Sequence, residues 1–341
     1  MKITFAANHG EVGGGEVMLM QLASAARHLG HDVTIVAPSS PSDVVQQARD
    51  EGFRTVEIHA DSASQYLLGL RRFDNQRDGW LWCNGLRPAV ATAGHRRRVV
   101  HLHQVPTKAQ HALAWTATRG ASKVLVPSRF MERAVGLGSE VLWNWCDGVR
   151  VQERTLPDDG PIRLGFIGRL AMDKGIGQLV EAITRLNATG GNYRLVLAGE
   201  PRFVDEAGRD EVENALRPIA SVTDRLGWVE RDEFYGQVDI VVVPSVVDEA
   251  FGLVVAEAMS SKLPLVVTRS GAIPEIVGGG YPLMAKPGSA TDLVRAIKLA
   301  TTREDTELVR DNYFRWRGVY SPDAGTQRLA DVLTDLRRAG A

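Results

Sequence analysis

The chain has 341 residues, about twice the length of a common single domain, which predicts two domains. Its composition, with 44% hydrophobic and 24% charged residues, is typical of a globular α/β protein and excludes fibrous and disordered classes. The net charge of −1 argues against a nucleic-acid partner, and two cysteines, Cys83 and Cys146, are too few for a disulfide framework.

The sequence lacks an apolar run long enough to span a membrane, and its N-terminus turns polar too early for a signal peptide. We therefore expect a cytoplasmic protein, with peripheral contact at the inner membrane face left open. Residues 1–155 hold 18 Lys and Arg against 14 Asp and Glu, a net charge of +4, and the remainder carries −5. Two arginine clusters in this basic half indicate either solvated surface or contact with an anionic acceptor or membrane; they are Arg71, Arg72 and Arg77, and Arg96, Arg97 and Arg98.

Ten short apolar runs alternate with amphipathic stretches, the pattern of strand–helix units that build parallel sheets. The polar segment 151–161 closes with Pro-Asp-Asp-Gly-Pro and predicts a linker. We therefore predict an N-terminal domain over 1–150 and a C-terminal domain over 162–320. Residues 321–341 predict a terminal helix with an apolar stripe that can dock on the N-terminal domain. The runs are residues 2–7, 32–37, 55–58, 80–83, 99–102, 123–126, 162–167, 194–198, 239–243 and 265–268.

The first turn that can carry chemistry follows the first apolar run and contains Gly13, Gly14 and Gly15. Consecutive glycines let backbone N–H groups approach a phosphate or sugar at the start of a helix, which we expect near Glu16. The turn does not match the dinucleotide-binding fingerprint, because Met18 occupies the position of the third glycine. A merely flexible turn remains the alternative.

The second turn, residues 168–175, follows the first apolar run of the C-terminal half and carries Arg169 and Lys174. Two permanent cations flanked by glycines, at the start of a helix, predict an anion site whose natural occupant is a diphosphate. Two cations in a surface loop are the alternative.

The third turn, after the run 239–243, is acidic and leads into an apolar helix that contains Glu257. Buried carboxylates need partners, and the vicinal hydroxyls of a sugar supply two hydrogen-bond donors to one carboxylate. We expect Glu249 at the helix entrance and the N–H groups of Phe251, Gly252 and Leu253 facing an anion. Alternatively, Glu249 caps the helix and Glu257 pairs with a cation.

All eight histidines lie between His9 and His111, and His101 and His103 end one apolar run. A metal pair there lacks a convincing third ligand. We expect His103 to act as a single hydrogen-bond donor to a ligand at the carboxyl end of its strand, with a core histidine as the alternative.

Three segments, GRLAMDKG, EAFGLVVAE and SGAIPEIV, resemble the retaining glycosyltransferases of family 4, and the resemblance covers nearly the whole chain. It implies the GT-B fold, an α/β architecture of two Rossmann-like, doubly wound parallel-sheet domains that face a cleft. It also implies that the C-terminal domain binds a nucleotide-sugar and that the N-terminal domain supplies most of the acceptor pocket.

The resemblance further implies roles for individual residues. Arg169 and Lys174 would bind the donor diphosphate and stabilise it as the leaving group. Glu257 would hold the ribose, while Glu249 and His103 would contact the transferred hexose. Glycines and helix-start residues would line the donor pocket: Gly14, Gly15, Gly168, Phe251, Gly252, Leu253 and Val254.

One departure from the family pattern leaves the nucleobase contacts, near Trp228, open: Glu200-Pro201 stands where a second glycine is usual. A separate departure is Gln104, which follows His103 where an aspartate is frequent.

The function implied is a retaining hexosyltransferase that moves sugar from a UDP- or GDP-type donor to a hydroxyl acceptor, either lipid-linked or a glycan. Neither a cofactor nor a metal is expected, because the sequence has no Asp-x-Asp motif and its cations can offset the diphosphate charge. A sugar-nucleotide epimerase of the same fold is disfavoured because the Arg/Lys turn and the paired glutamates occur together. A catalytically silent nucleotide-sugar binding protein is disfavoured, because such a protein would be expected to lack one of the cations or carboxylates of these motifs, and this sequence has all of them.

Overall fold

The computed structural model describes residues 1–151, 156–157, 159–201, 204–302 and 306–340. The chain forms two compact units, one of Met1–Trp145 with Tyr320–Ala341 and one of Cys146–Val319. The change of unit after Trp145 lies upstream of the predicted linker, 151–161, of which residues 152–155 and 158 lie outside the described residues.

The first unit is built on a parallel sheet whose seven described strands are β1 (Lys2–Ala6), β2 (Asp32–Pro38), β3 (Arg54–Ile58), β4 (Trp80–Asn84), β5 (Arg98–His101), β6 (Ala121–Val126) and β7 (Glu140–Val141). The strand order is β3-β2-β1-β4-β5-β6-β7, so the order reverses between β1 and β4. Ligands of open α/β sheets bind at such a switch point, outside the carboxyl ends of the strands. The helices are α1 (Gly14–His28), α2 (Asp43–Asp50), α3 (Ala63–Asp74), α4 (Leu86–Ala91), α5 (Lys108–Ala117) and α6 (Arg129–Val135).

The second unit repeats this plan with the described strands β8 (Ile162–Ile167), β9 (Tyr193–Ala198), β10 (Thr223–Gly227), β11 (Ile240–Val243), β12 (Leu265–Thr268) and β13 (Met284–Ala285). They are parallel in the order β10-β9-β8-β11-β12-β13, which places the switch point between β8 and β11. The helices are α7 (Ile176–Ala188), α8 (Glu206–Leu216), α9 (Arg231–Tyr235), α10 (Leu253–Ser260), α11 (Ile273–Val277), α12 (Ala290–Thr302) and α13 (Thr306–Arg315). Short 3-10 helices span Met172–Lys174 and Arg217–Val222, and a π-helix spans Trp316–Tyr320.

The predicted α/β class with two doubly wound parallel sheets is confirmed. Each apolar run corresponds to one strand, because parallel strands covered by helices on both faces are apolar throughout; every residue of β4 is buried. The sequence did not indicate β7, β10 and β13. Two of these have only two residues, and β10 reads Thr-Asp-Arg-Leu-Gly, the polar composition of an edge strand.

The last helix, α14 (Pro322–Gly340), belongs to the first unit and packs on α1. Leu329, Leu333 and Leu336 on its inner face are at most 2% exposed and join the core of this unit. Gly325 lies so close to Trp145 that a Cβ there would approach the indole ring to 2.1 Å. A glycine is therefore required where the helix meets this ring.

Two arginines of the predicted basic clusters are structural. Arg98 opens β5 and is fully buried, and its guanidinium donates to the carbonyls of Ala89, His95, Ala117 and Arg119. Arg77 donates to the Asp74 carboxylate and to the carbonyls of Gly79, Arg96 and Arg97. The expectation that both side chains belong to a surface cluster is wrong. Both guanidiniums instead donate hydrogen bonds to backbone carbonyls at the ends of helices and in turns.

Shortening one buried side chain of α14 tests how far the packing of this helix stabilises the first unit. We expect Leu333→Ala to lower the free energy of unfolding by about 2–5 kcal/mol, because it removes buried methyl groups and leaves a cavity beside α1. Thr334→Ala, at an exposed neighbouring position, should change it by no more than about 0.5 kcal/mol. Urea unfolding of the full chain gives both values, and equal values for the two variants would contradict the packing described.

Candidate functional site

Two loops meet at the switch point of the second unit, one after β8 and one after β11. Gly168 leaves β8 with φ +143°, and Gly175 adopts φ +82° immediately before α7. A Cβ on Gly175 would lie 2.0 Å from the carbonyl oxygen of Pro244, so the first loop touches the backbone of the second. Val246 N–H donates to the carbonyl of Asp173 over 3.0 Å and joins the two loops directly.

The predicted diphosphate cation Lys174 and the predicted sugar ligand Glu249 face each other across these loops. The Lys174 ammonium donates to Glu249 Oε1 over 2.6 Å, and the Ser245 hydroxyl donates to the same oxygen. Both charged side chains are mostly buried, with 26% and 17% of their surface exposed. Glu249 therefore holds a cation here and does not cap α10, which begins after Gly252.

Arg169 also has a carboxylate partner within its own loop. Its Nη2 donates to Asp173 Oδ2 over 2.5 Å, while Asp173 Oδ1 is buried and makes no hydrogen bond to the described residues. An open cavity of about 410 Å³ lies beside this pair. Its lining consists of Arg169, Ala171, Met172, Asp173, Val204 and Asp205. Each predicted cation thus forms an ion pair with one carboxylate, and an anionic ligand can replace that carboxylate as the partner.

The acidic loop is anchored on the turn after β12. The hydroxyls of Thr268 and Ser270 donate to the carbonyl of Ser245, over 2.6 and 2.9 Å. Gly271 has φ +53° and no room for a side chain, because a Cβ would lie 2.3 Å from the carbonyl oxygen of Glu249. The backbone around Glu249 is therefore fixed by the neighbouring strand.

Helix α10 follows this loop directly. Gly252, with φ +95°, turns the chain into the helix. Phe251 is buried, and the predicted pocket residues Leu253 and Val254 form the partly exposed first turn.

Glu257 lies in the second turn of α10, with 13% of its side chain exposed. Arg231, the first residue of α9, donates to its Oε1 over 3.3 Å and also lies 3.6 Å from Asp147. Burial raises the pKa of Glu257 above its ordinary value, and the charge of Arg231 opposes this shift. The cation pairing that the sequence left as an alternative is thus present.

In the first unit, the Gly-rich turn lies against His103. Helix α1 begins at Gly14, ahead of the expected position near Glu16. A Cβ on Gly15 would lie 3.6 Å from the His103 ring, which is ordinary van der Waals contact. His103 Nε2 lies 2.8 Å from Asn84 Oδ1, and Asn84 Nδ2 donates to the carbonyl of Gly15 over 2.8 Å. The structure therefore brings Gly15 and His103 together through Asn84, which the sequence did not indicate.

The rings of His101 and His103 lie 4.1 Å apart. Burial lowers the pKa of both side chains, that of His103 to about 4, so both imidazoles are neutral near pH 7. Within the described ranges, no group of three or more His, Cys, Asp and Glu side chains is placed to hold a metal ion.

Glu16 is a second residue of this edge that the sequence analysis passed over. It is 2% exposed, and burial raises its pKa to about 7, although backbone N–H groups of the Gly-rich turn oppose the shift. His9 Nδ1 lies 3.8 Å from its Oε1. The sequence feature that could have indicated Glu16 is a single carboxylate on the apolar face of α1, beside three glycines.

The predicted site residues therefore form two sets, one at the switch point of each unit. The second unit holds the cations and carboxylates, and the first holds His103 with Gly14 and Gly15.

In the parts of the chain that the structure describes, no helix is both long and apolar enough to cross a membrane.

Comparison with known proteins agrees with these features. Residues 161–302 match the family model described as Glycosyl transferases group 1. A GDP-mannose-dependent alpha-mannosyltransferase of Mycobacterium tuberculosis is 33% identical over 312 residues, which cover 78% of each chain. A lipopolysaccharide 1,2-N-acetylglucosaminetransferase of Salmonella typhimurium is 27% identical over 214 residues, and the match spans only 56% of either protein.

Among solved structures, HepE of Anabaena in complex with UDP-glucose has a TM-score of 0.84 at 18% identity, with 98% of this chain and 100% of that chain covered. At this identity the likeness bears on the fold alone. Together with the sequence matches, it confirms the resemblance that the three motifs indicated. The chain therefore belongs to the glycosyl transferases of group 1 and has the GT-B fold.

Proposed function

We propose that the protein is a retaining hexosyltransferase that moves a sugar from a nucleoside diphosphate to a hydroxyl acceptor. The observation that carries this proposal is the pairing of Arg169 with Asp173 and of Lys174 with Glu249 at the switch point of the second sheet. A diphosphate offers these cations more charge and more acceptor oxygens than the single carboxylates they now hold. Membership of the group 1 family supports the same chemistry.

In this proposal, catalysis consists of leaving-group stabilisation and positioning. The bond between the anomeric carbon and the diphosphate oxygen breaks, and Arg169 and Lys174 stabilise the charge that develops on that oxygen. The acceptor hydroxyl attacks the anomeric carbon from the same face, and its proton passes to the departing diphosphate. The starts of α7 and α10 add partial positive charge, so that no side chain has to act as a nucleophile.

The two glutamates have separate tasks. Glu257 binds the ribose hydroxyls, which supply the hydrogen-bond donors that a largely buried carboxylate with a raised pKa favours. Glu249, once the diphosphate takes Lys174, is free to bind hydroxyls of the hexose. The backbone of residues 251–254 and Gly168 lines the donor. Within the first unit, His103, Gly14 and Gly15 are the proposed ligand contacts.

Both UDP- and GDP-type donors belong to the proposal, because the relatives and neighbours include a GDP-mannose-dependent enzyme and a UDP-glucose complex. A thermal-shift panel of UDP, GDP, ADP and their sugars identifies the donor, since a ligand at a hundred times its Kd stabilises by about 2.7 kcal/mol. Incubation of that donor with glycan and lipid-linked acceptors then distinguishes the candidates. A transferase forms an α-glycoside and releases nucleoside diphosphate, an epimerase alters the donor without an acceptor, and a silent binding protein does neither.

We further propose that the protein makes peripheral contact with a membrane. Residues 79–131 contain eight Lys and Arg, of which Arg98 is buried, and no Asp or Glu. Within this stretch, α5 exposes Leu113 by 50% and Trp115 by 52%, and the Arg119 guanidinium lies 4.0 Å from the Trp115 ring centroid. Exposed apolar side chains beside a cation fit an anionic lipid surface and a lipid-linked acceptor.

Removing either cation should reduce turnover. We expect Arg169→Ala and Lys174→Ala each to lower kcat by on the order of a hundredfold to a thousandfold, the effect of removing one donor to a developing oxyanion. The fold should survive, because the Arg169–Asp173 pair is 32% and 35% exposed and such pairs stabilise a protein little, and because Glu249 keeps the Ser245 hydroxyl as a partner when Lys174 is removed. Arg185→Ala, which removes an exposed cation of α7 paired with Glu181, is the matched control and should leave kcat unchanged. Near-wild-type turnover of Arg169→Ala would refute the donor-site assignment.

The two glutamates should separate in calorimetry with bare nucleoside diphosphate. Glu257→Gln should weaken binding, because it weakens the contact to the ribose. Glu249→Gln should leave the affinity unchanged or raise it, because Glu249 competes with the diphosphate for Lys174. The effect of Glu249→Gln should appear instead as a lower rate of sugar transfer. Equal losses of affinity in both variants would show that the division of roles is wrong.

Sugar transfer should persist in excess EDTA. Arg169 and Lys174 with two helix N-termini can offset the charge of the departing diphosphate, so added Mg²⁺ or Mn²⁺ should change the rate only slightly. The measurement is the transfer rate after chelation and again after Mn²⁺ is restored. Loss of activity in EDTA and its return with Mn²⁺ would contradict the leaving-group role of the two cations.

Sedimentation with vesicles that contain an anionic phospholipid tests the membrane contact. Binding should be strong at low salt and weaken at high salt, because each cation contributes about 1 kcal/mol near such a surface. Neutralising Arg71, Arg72, Arg96 and Arg97 or replacing Trp115 by Ser should reduce it. Trp228→Ser is the matched control, since Trp228 is 62% exposed in the other unit. Lack of binding at low salt would end this part of the proposal.

A further inference from the structure

Asn84 has no role in the function proposed so far, although it occupies the switch point of the first sheet. It is the last residue of β4, next to β1, and is 1% exposed. Buried amides at such a position must satisfy their donors and acceptors with the groups beside them. Both partners of Asn84 belong to the ligand-facing edge: the Gly-rich turn and His103.

The hydrogen bonds around Asn84 have only one consistent direction. The carbonyl of Gly15 can only accept, so the amide –NH₂ of Asn84 must face it, as it does over 2.8 Å. Asn84 Oδ1 then faces His103 Nε2 at 2.8 Å and can itself only accept. His103 Nε2 must therefore carry a proton.

The other nitrogen of His103 follows from the charge of the ring. The His101 ring, Gly15 and Asn84 lie beside the imidazole, and none of these three carries a formal charge near pH 7. Burial lowers the pKa of His103 to about 4, so the ring holds one proton, which is on Nε2. Nδ1 is then a bare lone pair. It is buried and makes no hydrogen bond within the described part of the chain.

We propose that Asn84 is a positioning residue that fixes His103 in the Nε2–H tautomer, so that His103 accepts a hydrogen bond from a ligand hydroxyl through Nδ1. The second half of this statement rests on the proposed function, in which His103 contacts the hexose. It reverses the expectation that His103 acts as a donor. A sugar hydroxyl satisfies this acceptor, whereas a carboxylate or a carbonyl at the same place would oppose lone pair to lone pair.

The same bonds tie the donor-facing loop to the histidine. The carbonyl of Gly15, the amide of Asn84 and the ring of His103 form one continuous chain, so the turn and the ring keep a fixed relative position. Because Nδ1 is buried in this conformation, a ligand hydroxyl reaches it only when the groups that cover it move aside.

The tautomer can be measured directly, without any ligand. Long-range ¹H–¹⁵N NMR of the full chain labelled in its histidines distinguishes a protonated Nε2 from a protonated Nδ1, and His103→Gln assigns the signal. We expect His103 at pH 7.5 to show the Nε2–H pattern with a bare Nδ1. A protonated Nδ1, or an average of both tautomers, would overturn the proposal.

Substitutions at Asn84 test its role in this arrangement. Asn84→Leu keeps the volume and removes both hydrogen bonds, and should give averaged tautomers. Asn84→Asp keeps an acceptor for Nε2–H and adds a negative charge, which should preserve that proton and raise the pKa of His103 measured by NMR titration. Asn312→Leu, at a buried and hydrogen-bonded asparagine of the other unit, controls for general loss of stability. A His103 spectrum unchanged in Asn84→Leu would exclude the positioning role. If that variant does not fold, Asn84→Asp decides the matter, since an unchanged pKa of His103 would also exclude it.

The functional arm compares two affinities measured by calorimetry. Asn84→Leu should weaken the intact nucleotide-sugar by on the order of tenfold, the effect of one hydrogen bond, and should spare the bare nucleoside diphosphate. Equal weakening of both ligands would contradict a contact to the hexose. Because the NMR arm uses no ligand, failure of the transferase assignment would leave the tautomer result standing, and the two failures can be told apart.

Discussion

The contact between the loops after β8 and β11 is the constraint on which the candidate donor site depends. Strand order reverses between these two strands, so their loops leave the sheet side by side, and the Val246–Asp173 backbone bond joins them. Gly175 permits this approach, because any side chain there would collide with the carbonyl of Pro244. Without this close approach, Lys174 could not reach Glu249, and the charges would not converge at one place.

The charge balance of these loops suits an exchange of partners. Two cations with two nearby carboxylates form a nearly neutral group that is stable without ligand and costs little to keep partly buried. In the proposed function, a diphosphate takes both cations at once, and the displaced carboxylates then become acceptors for hydroxyl groups of a sugar. The first unit works differently. Its switch point consists of glycine backbone, a neutral histidine and an amide, and in the proposal these groups recognise hydroxyl groups by direction and not by charge.

Much of this arrangement could be predicted from sequence. Apolar runs indicate buried parallel strands because both faces of such a strand are covered, and the turns after two of these runs contain Arg169, Lys174 and Glu249. Short polar edge strands such as β7 and β10 leave too weak a pattern to be recognised.

Partners that are distant in the sequence, or whose environment decides their role, could not be predicted. Arg231 and Glu257 are 26 residues apart, and only the fold brings them together. Asn84 and His103 belong to different strand ends, and no motif links them. Arg98 looks like one member of a surface cluster, because the sequence does not show that four carbonyls surround it.

A crystal structure of the protein with its nucleoside diphosphate tests the central claim most directly. The account predicts diphosphate oxygens within hydrogen-bond distance of both Arg169 and Lys174, with Glu249 released from the Lys174 ammonium and turned toward the position of the sugar. A diphosphate bound away from both cations, or one whose charge is met by a divalent ion while the Lys174–Glu249 contact stays intact, would contradict it.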